Sequence, residues 1–346
     1  MAITGLSEVI VPEVFAGYIF EEDNRVNRLI QSGAVVSDAN IAGFLAGGGT
    51  TFNVPSWQAT DGDAENISSD LVTDGTANAL AGRKQIVSRC ERNGIWSSAD
   101  LTAMLAGSDP LANAAARISQ FRMTKRQNAL QAILEGLYNT TNGVLTSSHT
   151  NSIAEKATAA APLAAEVINA GPVIDTLAAS ADEQGTNVMI VHSDTHRDLQ
   201  KKNLITYEAT NTQNIGWGTY LGFTLVVDDG AAVGDPGALK IAGGTNGFWY
   251  KSYLMQPASV TVTGGVAKVP VEVERYATQG HGGGVESLIV RDSYAAHVYG
   301  TSWTGSPASE ETPDNDDFAI GTNWGQTFED KKIGVTCLEH NIGVGS

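Results

Sequence analysis

Hydrophobic and polar positions change period several times along the chain, and each change predicts an element. The longest uniform stretch is Asp109 to Asn139, where one helix is expected. Asp109 can cap its N-terminus, and Pro110 stands at the first helical position, where its missing amide hydrogen costs nothing. Ala, Leu, Gln and Arg dominate, and no further proline precedes Asn142-Gly143. At 1.5 Å per residue such a helix is on the order of 45 Å long, more than a small domain needs. Its apolar residues form two stripes. Leu111, Ala114, Ala115, Ile118 and Phe121 share one face, and Met123, Leu130, Ile133, Leu134 and Leu137 share another, roughly a third of a turn away. A spine that meets different neighbours along its two halves is predicted. Two shorter helices broken near Arg122 to Asn128 are the alternative.

Before the spine, the pattern is extended. Thr51 to Trp57 alternates, and so does Gln85 to Cys90 with its flanks. About 25 polar residues lie between them, long for a hairpin connection, so a projecting loop is expected. A two-stranded ribbon alone is marginal in water and needs support, most simply from a partner subunit. Residues 1–49 hold Val11 to Phe15, a helical spacing at Val26, Leu29 and Ile30, and then Gly33, Gly43 and Gly47-Gly48-Gly49. Too few apolar residues occur there for a separate core, which predicts an arm lying on another domain or a neighbouring subunit.

After the spine, a mixed α/β region is predicted. Leu163 to Glu183 has helical composition interrupted by Gly171-Pro172; Asn187 to Val191 is a short buried strand; Ser193 caps a helix over Asp194 to Asn203. Leu221 to Val227 is a further strand, closed by Asp228-Asp229-Gly230. Ser259 to Thr263 and Val266 to Arg275 suggest a hairpin around Gly264-Gly265. The apolar stretch Val285 to Val290 follows the strand connection His281-Gly282-Gly283-Gly284. Asp314 to Asp317 looks like a solvated acidic turn, and Ile333 to Leu338 like a terminal strand.

Composition narrows the classes. The chain has 346 residues and 42% hydrophobic content, enough for two or more domains with real cores. No apolar run of membrane-spanning length and no basic start followed by an apolar core occurs, so a soluble protein made in the cytoplasm is expected, with no membrane partner. Cys90 and Cys337 lie far apart without zinc-site spacing and are expected as buried thiols. The net charge of -17 and pI near 4.6 argue against a reader of nucleic-acid sequence, but not against a protein that encloses nucleic acid without sticking to it. Charge is also segregated. Residues 58–78 carry Asp61, Asp63, Glu65, Asp70 and Asp74 with no base, whereas 79–93 carry Arg83, Lys84, Arg89 and Arg92 against Glu91 alone.

Candidate chemistry is sparse. His192 and His196 stand four apart with Asp194 between them and Asp198 just beyond, but the Glu of a zinc-protease motif is missing. Asp61-x-Asp63-x-Glu65 has calcium-loop spacing without the turn glycine and terminal bidentate acid. Neither a Gly-x-Ser-x-Gly elbow nor a phosphate loop occurs, so no catalytic, cofactor or metal residues are assigned and no enzyme is expected.

The order of parts resembles the major capsid proteins of tailed bacteriophages, the Hong Kong 97 type. Val11-Pro12-Glu13-Val14-Phe15 resembles that family's arm. Met189-Ile190-Val191-His192-Ser193 through Leu199-Gln200-Lys201-Lys202-Asn203-Leu204-Ile205 resembles its axial domain. Tyr294-Ala295-Ala296-His297-Val298-Tyr299-Gly300-Thr301-Ser302-Trp303, Ser306-Pro307 and Asn323-Trp324 through Glu329-Asp330-Lys331-Lys332 resemble its closing segments. Val298 departs from the proline usual after that histidine.

The resemblance implies an α+β fold: an N-terminal arm (1–49), an extended two-stranded loop (50–93), a peripheral domain (94–144) with the spine helix, a mixed α/β axial domain (145–260), a return to peripheral long strands (261–305) and a C-terminal segment (306–346). It implies hexamers and pentamers of an icosahedral head around double-stranded DNA, assembled in the host bacterial cytoplasm. A scaffolding protein, a portal and a decoration protein are the implied partners. Residues expected between subunits are Phe15, Arg25 and Arg28 in the arm and Trp57, Asp61, Asp63, Glu65, Arg83, Lys84, Arg89 and Arg92 in the loop, with acidic and basic limbs pairing next door. Lys84 could also serve in the lysine-asparagine cross-link some members form. An encapsulin-type compartment shares the fold and is the alternative; an enzyme using His192 and His196 is the alternative of another class.

Overall fold

Local capping and side-chain alternation decide most elements. The computed structural model describes residues 29, 32–58, 60, 65–68, 74–107, 109–156, 162–179, 188–207, 218–229, 239–243, 248–308 and 310–343. Its elements in the first half are β1 (Val35–Val36), α1 (Ala39–Leu45), β2 (Thr51–Trp57), β3 (Gly82–Ser88), β4 (Cys90–Ala99), α2 (Asp100–Ala106), α3 (Pro110–Leu137) and β5 (Thr150–Ser152). There follow α4 (Ala170–Leu177), β6 (Val188–Val191), α5 (Ser193–Lys201), β7 (Thr219–Tyr220), β8 (Phe223–Val227), β9 (Lys240–Ala242) and β10 (Phe248–Met255). The last part holds β11 (Val260–Gly264), β12 (Val271–Tyr276), β13 (Val285–Val298), β14 (Thr301–Trp303), α6 (Asn315–Ala319), β15 (Trp324–Gln326) and β16 (Val335–His340).

The spine is one unbroken helix of 28 residues, α3, about 42 Å long. Asp109 accepts from the Leu111 amide at 2.9 Å, and Pro110 follows it. The two apolar stripes do meet different neighbours. Leu130, Ile133, Leu134 and Leu137 enter the main core, whereas Leu111, Ala114 and Ile118 pack on Leu288 and Val290 of β13 and Trp96 of β4.

The main core lies between α3 and a seven-stranded sheet ordered β5-β16-β10-β6-β8-β7, with β9 also on β10. Both faces of this sheet are covered, which is why β6 reads as an uninterrupted apolar run. Val188 and Ile190 face α3 and its core, while Met189 and Val191 face a second core with Val173 and Leu177 of α4 and Leu199 of α5. The expected terminal strand lies second from the edge of this sheet, antiparallel to β10 and parallel to β5. Both thiols are buried as expected, and burial pushes Cys90 and Cys337 up to about 12.

The five-stranded sheet is built on the 14-residue β13. Here the hairpin expected at Gly264-Gly265 is overturned. β11 and β12 do not pair with each other; they follow one another along the same edge of β13, with Val260 opposite Val298 and Val271 opposite Val290. Neither glycine has positive φ. They are small because Arg126 Nη1 and Leu45 Cβ would lie 3.2 and 3.1 Å from an added Cβ at Gly264 and Gly265. The hairpin turn is instead the segment before β13, where Gly280, His281, Gly282 and Gly284 all have positive φ.

Several local expectations are corrected too. Gly171-Pro172 does not interrupt a helix but opens α4, which Asn169 caps. His192, not Ser193, caps α5, its Nδ1 accepting from the Asp194 amide at 3.0 Å. Leu221 to Val227 is not one strand: Leu221 and Gly222, at φ 50° and 87°, turn β7 back onto β8. The acidic Asp314 to Asp317 turn is a capping box that starts α6, because Phe318 is buried against Trp303 and Trp324 and holds the segment down.

Candidate assembly surface

β2 and β3 form the expected ribbon, in register from Thr51 opposite Ser88 to Trp57 opposite Gly82. Its base rests on the chain's own body. Phe52, Val54 and Val87 pack with Ile41 and Leu45 of α1 and Ala295 of β13. Buried Gln85 takes the Gly300 amide at 2.8 Å on its Oε1 and lies 2.9 Å from His297 Nε2. Burial holds His297 down at about 4, so its ring is neutral at pH 7. The support expected from a partner is therefore supplied at the base by α1 and β13 of the same chain.

At the distal end the chain has less to offer. Trp57 is 74% exposed and Ile67 93%; Leu80, Glu65 and Lys84 are exposed as well. Arg83 is tied down, donating to Thr327 O at 2.8 Å and meeting Glu329 at 3.3 Å. Arg89 pairs with Glu91 and donates to Gly47 O at 2.9 Å. Arg92 donates to Thr312 Oγ1 at 3.4 Å and to Pro313 O. Three of the four basic residues expected to reach a neighbour are thus engaged within the chain, leaving Lys84 outward. Phe15, Arg25, Arg28, Asp61 and Asp63 lie outside the described residues.

A second surface is one the sequence pattern did not disclose. α2 buries Thr102 and Ala106 and leaves Leu101, Met104 and Leu105 outward, Met104 at 79%. The spacing i, i+3, i+4 was the available signal, but here it marks the uncovered face. Beside it, β12 is an exposed edge strand whose only partner among the described strands is β13. Contiguous apolar surface and an open edge mark sites where another chain fits.

Of the two histidine candidates, His192 is fixed by the cap it forms on α5. His192 lies 3.5 Å from Asp194 and 3.6 Å from Asp229, and burial lowers its pKa despite both acids. Burial alone would raise Asp194, but Lys240 at 2.8 Å and the Tyr250 hydroxyl at 3.1 Å bring it below the usual carboxylate value. The cluster fastens the start of α5 to β9 and β10. Among the described residues no group of three or more His, Cys, Asp or Glu could hold a metal ion, and no described helix is long and apolar enough to cross a membrane.

Comparison with known proteins agrees with this architecture. The major capsid protein of Bacillus phage SPP1 is 29% identical over 347 aligned positions, covering 99% of each chain. The solved capsid of cyanophage Pam1 superposes with TM-score 0.58 at 10% identity, covering 96% of both chains. The chain has the Hong Kong 97-type capsid fold. The capsid of Ralstonia phage GP4 (TM-score 0.54, 10% identity, 97% of both chains) and the Mycobacterium phage Bobi structure (0.53, 13%, 99% of both) share it. No protein-family model matches the chain. The resemblance read from the capsid-like segments is borne out, and with it the α+β fold.

Proposed function

We infer that this chain is the major capsid protein of a tailed bacteriophage, a structural subunit that self-assembles into an icosahedral shell. The observation that carries this is the likeness to the SPP1 major capsid protein over 99% of both chains. The uncovered surfaces support it: the tip of the ribbon, the outer face of α2 and the open edge of β12 each gain a partner when copies meet. Burying their apolar area on neighbours contributes roughly 25 cal/mol per Å², and many such contacts repeated around a closed lattice give a persistent shell.

In this reading hexamers and pentamers form with the axial domain (145–260) around the symmetry axes, the shell encloses double-stranded DNA without reading it, and the virion is where the protein resides. Trp57, Glu65 and Lys84, with Asp61, Asp63, Phe15, Arg25 and Arg28, contact neighbouring subunits. Arg83, Arg89 and Arg92 act first within their own chain. A scaffolding protein, a portal and a decoration protein are the further partners, and assembly takes place in the host cytoplasm. The subunit performs no catalysis.

Electron microscopy of the purified chain, alone and with its neighbouring genes, tests the reading. Closed icosahedral particles are expected. A strictly monomeric protein at high concentration would overturn it, and particles filled with a protein cargo in place of DNA would move it to the encapsulin class.

A further inference from the structure

Past its apolar base, the ribbon stays on its own subunit through a line of polar contacts along β3, made to the stretches 297–302 and 327–329. Nearest the base, the Ile86 amide donates to Ser302 Oγ at 3.2 Å, and that hydroxyl lies 2.7 Å from Thr327 Oγ1. Beside it, buried Gln85 takes the Gly300 amide at 2.8 Å. Farthest out stands Arg83, which donates from Nη1 to Thr327 O at 2.8 Å and from Nη2 to Glu329 Oε1 at 3.3 Å. Beyond Arg83 the fit loosens. The exposed Trp57 stands with Phe328 and Lys332 around an open pocket of about 170 Å³. Arg83 is thus the last direct bond between the described ribbon and the body, and Glu329 across from it is exposed.

The segment that receives Arg83 is itself firmly held. The Thr327 and Phe328 amides both donate to Gly300 O, at 2.8 and 3.1 Å. At Gly300, φ is 91°, and an added Cβ would lie 2.7 Å from Ile333 Cγ1 and 3.1 Å from Phe328 Cδ2, so only glycine lets the two stretches come this close. Asp330 O lies 2.7 Å from Nε2 of the fully buried His149. The ribbon, by contrast, has two strands and no further sheet beside it. Left loose, it would have to be ordered at every encounter with a neighbour; held beforehand, it would not. We propose that Arg83 straps the ribbon to segment 327–329 of the same subunit, setting the direction in which the ribbon leaves the body before any neighbour is met. The proposal rests on the shell-subunit reading and deepens it: Arg83 serves assembly from within its own chain, by preparing the ribbon, and its carboxylate partner is Glu329 of that chain.

Hydrogen exchange on the unassembled subunit and the rate of particle formation test it together. Arg83→Glu turns the attraction into repulsion, and Glu329→Arg does the same from an exposed position where folding is not at stake. Each is expected to speed amide exchange in β2 and β3 roughly tenfold while the Tm stays the same, and to slow particle formation by a similar factor. Both changes in one chain are expected to recover both readouts. A mixture of the two single-variant chains is expected to recover neither, because each ribbon still faces a like charge on its own subunit. Unchanged exchange in the single variants, faster exchange with unchanged or quicker assembly, no recovery in the double variant, or recovery of particles in the mixture each overturns the proposal and leaves the shell reading intact; the last would place the pair between subunits. Failure of the unaltered chain to form particles counts against the shell reading itself, a result that no comparison among the variants can produce.

Discussion

The two halves of α3 share one backbone but not one environment. From Gln127 onward nearly every side chain is enclosed: Leu130, Ile133, Leu134 and Leu137 sit between the helix and the seven-stranded sheet, and Gln127 and Gln131 both donate to the buried Asp228 carboxylate beyond β8. Before Gln127 only one stripe is covered, by Trp96, Leu288 and Val290, while Phe121 and Lys125 stay exposed. A single helix therefore buries one half in the main core and leaves one flank of the other half open, with a single stripe packed on Trp96, Leu288 and Val290. Damage to the enclosed half should cost the isolated subunit much more than damage to the open half.

The largest effect is expected at Gly136. Alanine in a helix interior normally stabilises by about 0.5–1 kcal/mol over glycine. Here a Cβ would lie 2.0 Å from Phe318 O and 2.7 Å from Trp324 Nε1, so Gly136→Ala should cost about 4 kcal/mol or more and expose the tryptophans. Thermal melting with tryptophan fluorescence reads this; an unchanged Tm would mean that α6 and β15 do not dock against the helix. Next, Ile133→Ala should cost about 2–5 kcal/mol in denaturant titration of the unassembled subunit, the usual range for a buried large-to-small change.

Acid should act on the enclosed side as well. His340 on β16 is fully buried between Ser252 Oγ at 2.8 Å and Asn341 O at 3.0 Å, and burial holds it at about 4. Its folded pKa lies below the unfolded value of about 6.5, so the unfolded chain takes up the proton first. Stability is then full above about pH 6.5, falls as pH drops towards 4 by about 3 kcal/mol, and flattens below that. His340→Gln should remove this part of the slope in denaturation curves measured across that range.

Smaller still, replacing Gln127 and Gln131 together by Ala deprives Asp228 of two donors and should cost about 1–3 kcal/mol by the same titration. At the open half, Ile118→Ala should cost the subunit only about 1 kcal/mol, since Ile118 is half-exposed. If Ile118→Ala destabilised the isolated subunit as much as Ile133→Ala, the division of labour along the helix would fail.

Much of this arrangement was legible beforehand because it is written in neighbouring residues. The Asp109-Pro110 start, the double stripe of α3, the alternation of β2 against β3 and the buried run of β6 all follow from spacing within a few turns or pleats. The surface was legible in part: Trp57 and Lys84 do stand outward, but Arg83, Arg89 and Arg92 are claimed by Glu329, Glu91 and Pro313 of the same chain, partners that charge counting could not reveal. Gly264-Gly265 misled for a related reason. The pair has turn composition, yet its smallness serves the approach of Arg126 and Leu45, and a 14-residue β13 offered both flanking strands a longer edge than they could offer each other.

Residue order was enough to settle where helices and strands begin, which faces are apolar and where charge is segregated, since these depend on capping, backbone preference and period. Which strand lies beside which, which cation keeps a partner and which glycine touches a distant carbonyl were decided only when the chain folded. Those outcomes depend on competition among groups far apart in sequence, such as Cys90 and Tyr294 or Gly136 and Phe318, and that competition is resolved by close packing in three dimensions.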